Sequence, residues 1–156
     1  MLDNNGSESI LRKKWENKLE KIEQDIRQYG ETIYNRATDN DIKCFDEWWN
    51  KYVKKINVPQ EFYDFTSLAN GFEYDGLLFC SINQEENNNI YETNNIYWEN
   101  DNLRQYIFWG EDSISWYCQS VETKEFLILD KPSGERMESF GSFGELINEG
   151  LDSVCE

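Results

Sequence analysis

The sequence has no histidine at all. That absence removes the usual general base near neutral pH and every Ser-His or Cys-His arrangement for nucleophilic catalysis. No GxSxG, GxGxxG or P-loop pattern occurs either, so the common acyl-transfer and nucleotide-binding signatures are missing. The four cysteines, Cys44, Cys80, Cys118 and Cys155, are widely spaced with no CxxC pair. Without histidine or clustered thiols a zinc site has no ligand set. Cys80 and Cys118 sit in apolar runs and read as small buried hydrophobes of a reduced protein. No run approaches the roughly 20 apolar residues that span a bilayer. The first residues, MLDNNGSES, lack the basic and apolar regions of a signal peptide, so a cytoplasmic location is the default expectation.

Basic residues are scarce in one part of the chain. Residues 1–60 hold 11 basic and 11 acidic side chains, whereas residues 61–156 hold 4 basic and 20 acidic. The net charge of −16 therefore lies entirely on the second part. Such a field repels nucleic acid and acidic membranes and speeds the approach of a basic partner. The alternative is that the acidity serves solubility alone. Adjacent acids such as Glu85-Glu86 and Glu111-Asp112 are read as solvated surface rather than acid–base or metal groups.

Aromatic residues make up 15% of the chain, so the core is expected to rest on Trp, Tyr and Phe. From Leu11 to Ile33 the apolar residues step by three and four (Leu11, Trp15, Leu19, Ile22, Ile26, Tyr29, Ile33), which predicts an amphipathic helix near 9–34 that Gly30 weakens or ends. The stripe fits packing on its own domain or a coiled coil. Thr38 or Asp39 caps a second helix near 41–55, with Ile42, Phe45, Trp48 or Trp49, Tyr52 and Ile56 on its apolar face. The Trp48-Trp49 pair is expected to split, with one ring in the core and one partly exposed. Pro59 opens a third helix ended by Asn70-Gly71. After Gly76 the period shortens. Strands are expected at 77–82, 106–109, 114–118, 125–129 and 136–140, and 90–98 reads as helix or strand. Ser142, with Glu145 three residues on, has capping-box spacing for a helix near 142–152. The expected core is Phe62, Phe65, Leu68, Leu78, Cys80, Ile107, Trp116, Phe126, Ile128, Phe143 and Leu146.

Two blocks resemble a known family. VPQEFYDFTSLANGFEYDGLLF, from Val58, resembles the opening of the SUKH superfamily core (Smi/Knr type), where a Pro-led aromatic helix ending in Asn-Gly runs into the sheet. YIFWGEDSISWYCQS, EFLILDKPSGE and SFGSFGELINEGL, within 106–151, are similar in order and aromatic placement to the family's hairpin strands and closing helix. The preceding helices look like the N-terminal extension of its YrhA-like branch. The resemblance implies an α+β fold, with N-terminal helices packed on a mostly antiparallel sheet of four to six strands and a C-terminal helix. Chain length predicts one domain, placed over 9–156 with a helical part 9–57 and a core 58–156, behind a flexible terminus 1–8. Bacterial members are mainly immunity proteins that bind and neutralise a cognate secreted toxin. Eukaryotic relatives are regulatory scaffolds, so an interaction module with no toxin partner is the alternative. The function expected is stoichiometric binding, with no turnover and no cofactor, of a toxin domain, a basic one such as a nuclease. The contact candidates are acidic and aromatic residues in the loops around the sheet: Glu73, Tyr74, Asp75, Glu85, Glu86, Glu92, Trp98, Glu99, Asp101, Glu111 and Asp112.

Overall fold

Thr38 fixes where the second helix begins. Its hydroxyl accepts from the Asp41 N–H, and the Asp41 carboxylate accepts from the Thr38 N–H, a reciprocal capping box. Similar local signals set the other boundaries in the computed structural model. It describes the backbone of residues 2–31 and 35–155 and the side chains of 9–31 and 35–155. The order is α1 (Leu2–Arg27), α2 (Asp39–Tyr52), α3 (Gln60–Thr66), β1 (Phe72–Tyr74), β2 (Leu77–Phe79), α4 (Ile90–Tyr97), a 3₁₀ turn (Asp101–Leu103), β3 (Tyr106–Glu111), β4 (Ser115–Ser120), β5 (Phe126–Asp130), β6 (Arg136–Phe140) and α5 (Phe143–Asp152). Among the described residues this is the expected α+β class, with six strands in sequential order and every neighbouring pair antiparallel.

Several boundaries differ from the sequence reading. α1 starts at Leu2, ahead of the expected Ser9, and stops at Arg27. Gly30 ends it in the left-handed region, at φ +78°, and the Glu31 N–H folds back to Ile26 O. Tyr29, expected on the apolar stripe, is 76% exposed; Ile33 and Tyr34 lie outside the described residues. Of the rest of the stripe, Trp15, Leu19 and Ile22 are buried and Leu11 and Ile26 half-buried, and α1 packs on α5 of its own chain. Lys18 joins the two helices through an ion pair with Asp152 and a 2.6 Å hydrogen bond to Asn148.

α2 is buried on two sides, so Trp48 and Trp49 do not divide between core and surface. Trp49 stacks near Trp109 of β3 and donates its Nε1–H to Ile56 O at 2.7 Å. Trp48 packs on Tyr91 and Trp98 from the α4 side. Val53 takes the buried place expected for Tyr52, which is 56% exposed.

β1 was not expected. It pairs with β2 through a two-residue turn in which Asp75 (φ +50°) and Gly76 (φ +85°) are both left-handed, the type I′ geometry that Asp-Gly favours. Strand alternation then turns Leu77 and Phe79 inward and leaves Leu78 half-buried. Leu68, another expected core residue, lies past the end of α3 and is also half-buried, while Ala69 is buried beside it. The other expected core residues are buried. β3 does not close at Gly110 but runs through it with a bulge. A Cβ on Gly110 would come within 2.5 Å of Leu78 O, so only glycine fits there. At α5 the Ser142 hydroxyl accepts from the Glu145 N–H, while the Glu145 carboxylate reaches Gly141 N–H, one residue before the cap.

The sheet is covered on both faces. Ile107, Trp109, Tyr117, Phe126 and Ile128 meet α1, α2, α3 and α5 in one cluster. Tyr106, Phe108, Trp116, Cys118, Leu127 and Leu129 form a second cluster on the other face, beneath Tyr97, Trp98 and Leu103. Burial on both faces explains why β3 and β5 carry nearly continuous apolar residues instead of an apolar–polar alternation.

Candidate functional site

Ser81 closes the connection from β2 to α4 on itself. Its N–H donates to Asn88 O at 3.0 Å, and its carbonyl accepts from Ile90 N–H at 2.8 Å. Inside this clasp the Asn side chains stand in for secondary structure. Asn83 Oδ1 accepts from the Glu85 N–H at 3.0 Å. Buried Asn89 donates to Glu86 O at 2.9 Å, and its Oδ1 accepts from the Glu92 N–H at 2.9 Å, which caps α4. Asn70 holds the loop from behind. Its Oδ1 accepts from the Ile82 N–H at 2.9 Å, and its Nδ2 donates to Asp41 at 3.3 Å. Gly71 permits this approach, because its φ is +78° and a Cβ there would sit 2.6 Å from Ser81 N. The Asn-rich patch is thus a scaffold, and it presents Glu85 and Glu86 exposed on a pre-formed loop.

A cleft lies on either side of that loop. One, of about 290 Å³, is lined by Glu31, Glu73, Glu86, Asn35, Asn87 and Asn88, among others. The other, of about 280 Å³, has Asp41, Glu85, Asn40, Asn83 and Gln84 in its walls. No Lys or Arg lines either cleft among the described residues. Carboxylates and amide oxygens facing a concave, cation-free surface focus negative potential and suit Lys or Arg side chains. Among the described residues no group of His, Cys, Asp and Glu is placed to hold a metal ion.

The structure brings together Glu73, Glu85 and Glu86 from the sequence candidates and disperses the rest. Glu73 belongs to β1 rather than to a loop, and its carboxylate lies 3.5 Å from Asn88 Nδ2. Tyr74, also in β1, donates its hydroxyl to Asp25 at 2.7 Å, and Asp75 forms the tight turn. Glu92 is exposed in the first turn of α4. Glu99 and Asp101 are exposed beyond the end of α4, with Asp101 3.5 Å from Arg104. Trp98 lies flat on Trp48 and donates its Nε1–H to Tyr106 O at 2.8 Å.

Glu111 and Asp112 are taken up internally. Glu111 is ion-paired with Lys131 and accepts the Tyr97 hydroxyl at 2.7 Å. Asp112 Oδ1 accepts from the Ile114 and Ser115 N–H groups, and its Oδ2 accepts from the Tyr117 hydroxyl at 3.0 Å. These two acids hold the β3–β4 hairpin. The sequence pattern does not single out Glu31 for this site, and it marks Asp41 only as a helix start and Asn70 only as a helix stop.

The tyrosines give the fold an alkaline limit. The bond to Asp25 pushes Tyr74 up to about 12, and burial, then Glu111, pushes Tyr97 up to about 12. Tyr63, Tyr91 and Tyr117 are raised as well, chiefly by burial. In an unfolded chain these phenols ionise near 10. The stability from their neutral forms is therefore complete below about 10 and is lost as pH climbs through about 12. Burial also raises the thiols of Cys80 and Cys118 above their ordinary value, so urea midpoints should begin to fall from about pH 9 and drop further between about pH 10 and 12. A flat profile across that window would overturn the assignment.

No family model and no curated protein matches the chain. Among solved structures it is similar to the crystal structure of a protein from Pseudomonas syringae pv. tomato. The TM-score is 0.53 and the identity 18%, over 81% of this chain and 92% of that one. At that identity the likeness shows a shared fold and nothing of function. No described helix is long and apolar enough to cross a membrane.

Proposed function

We propose that this protein is an immunity-type binder that neutralises a cognate toxin by stoichiometric contact. The observation that carries the reading is the hydrogen-bonded loop bearing Glu85 and Glu86 between two acidic clefts that no described Lys or Arg lines, on a chain of net charge −16. The resemblance to the SUKH superfamily supplies the class of partner. The charge supplies its chemistry: a basic domain, such as a nuclease, whose Lys or Arg side chains enter the clefts. Long-range attraction speeds encounter, and a loop already held in shape loses little conformational entropy on binding. No turnover is required, because occupying the toxin's working surface is sufficient.

The test is co-expression with the product of the adjacent gene as the candidate toxin. The expected result is restored growth and recovery of the two proteins as a one-to-one complex. Loss of both protection and co-purification overturns neutralisation. A housekeeping partner recovered in its place would favour the regulatory interaction module.

A further inference from the structure

We infer that the open edge of β6 accepts an added strand from a partner protein, an extended segment with a Lys or Arg opposite Glu138 and an apolar residue two positions away, opposite Phe140. The inference goes beyond the neutralisation reading and uses other residues. The acidic loop sits at the β1 edge, where Asn88 reaches Glu73. β6 ends the sheet five strand spacings away, about 24 Å. It pairs with β5 alone. Alternate residues of an antiparallel strand aim their N–H and C=O groups away from the neighbour, so one row of β6 donors and acceptors has no strand to meet. Arg136 to Ser139 are exposed and Phe140 is half-buried. The register shift lies opposite Ile128 and Leu129 and leaves Glu138, Ser139 and Phe140 each facing one residue of β5. No lysine or proline lies in β6 to blunt it. The other edge offers less, since β1 is three residues long and its Tyr74 is bonded to Asp25 of α1.

Charge decides which strand fits. Glu138 and Phe140 lie opposite Ile128 and Phe126, which belong to the cluster shared with α5, so both face the α5 side. There Glu138 meets another acid. Partial burial, then Glu138 and Asp152, holds the Glu149 carboxyl above its ordinary value. Lys18, whose charge opposes that rise, is already paired with Asp152. The only basic residues between 130 and 152 are also committed, Lys131 to Glu111 and Arg136 to Glu125. The negative charge of Glu138 and Glu149 is therefore left for a partner to balance. A Lys or Arg on an added strand stands directly across from Glu138, the cross-strand placement that opposite charges favour. Phe140 offers the next position on that face to a β-branched or aromatic side chain. The same charge turns away a second copy of this chain, because pairing two β6 edges brings together two molecules of net charge −16. Main-chain bonds supply the affinity of such an added strand, and Glu138 and Phe140 supply its selection.

The experiment titrates the full-length, isotope-labelled protein with the acetylated and amidated octapeptide Thr-Lys-Thr-Val-Thr-Lys-Thr-Val. One control replaces each Lys with Glu. Two others carry backbone N-methyl groups, on every Thr or on every Lys and Val. The Lys peptide should shift the amides of residues 136–140, slow their hydrogen exchange, and bind at least about tenfold tighter than the Glu peptide. One methylated set should lose binding and the other keep it, because only one side of an added strand bonds to β6. Glu138→Lys should weaken the Lys peptide about tenfold and admit the Glu peptide in its place. Glu138 is exposed, and the methylated peptides test the edge without any substitution. No binding of the Lys peptide, equal binding of the Lys and Glu peptides, or tolerance of both methylated sets would overturn the proposal. So would shifts confined to the acidic loop, or β6 amides already protected in a dimer of the free protein.

Discussion

Phe65→Ala should lower the unfolding free energy by about 3–5 kcal/mol, the range for emptying a buried aromatic site. Phe65 has no exposed surface. Its ring lies 6.0–6.5 Å from those of Trp15, Phe62, Phe72, Phe79 and Phe143. It therefore joins α1, α3, the β1–β2 hairpin and α5 at one point. Those neighbours are large and planar, and they cannot collapse into the space without breaking their own contacts. The cavity term should accordingly sit at the upper end. The measurement is urea unfolding followed by tryptophan fluorescence. A midpoint within error of the parent chain would mean that Phe65 does not hold these elements together.

The sequence carried the helices and the sheet unevenly. α2 and α5 were readable because their caps are local: Thr38 and Ser142 bond to residues three positions on. β1 was missed although Asp75-Gly76 is a hairpin signature, because the helix stop at Asn70-Gly71 lies too close before it. Residues 90–98 read as helix or strand, since Ile90, Tyr91 and Asn94 suit a short helix while Asn94-Asn95 suits a turn. The deciding group was Asn89, whose side chain caps α4. At the site, the sign of the charge was legible and its employment was not. Glu85-Glu86 and Glu111-Asp112 are equivalent as strings, yet only the first pair faces solvent. The second is taken up by Tyr97, Tyr117 and Lys131, partners set by sheet register that no local pattern reveals. Trp98 shows the same difficulty, since its stacking on Trp48 joins residues 50 positions apart.

That difference makes the acidic-loop prediction separable from stability. Reversing Glu73, Glu85 and Glu86 together to Lys should slow association with a basic toxin by about 10- to 100-fold at low ionic strength, since steering raises on-rates by several orders of magnitude over a neutral pair. The deficit should shrink as salt rises, because the screening length falls from about 30 Å at 0.01 M to about 8 Å at 0.15 M. Thermal stability should shift little, since exposed substitutions away from packing stay within about 0.5 kcal/mol each. Asp112→Ala should do the reverse. It strips acceptors from two backbone N–H groups and the Tyr117 hydroxyl, so it should cost about 1–3 kcal/mol of stability while leaving the on-rate of the folded fraction within about twofold. Stopped-flow association at two salt concentrations, with melting curves for each variant, reads both effects. If the triple reversal associates as fast as the parent chain at low salt, the acidic loop is not the surface the partner meets.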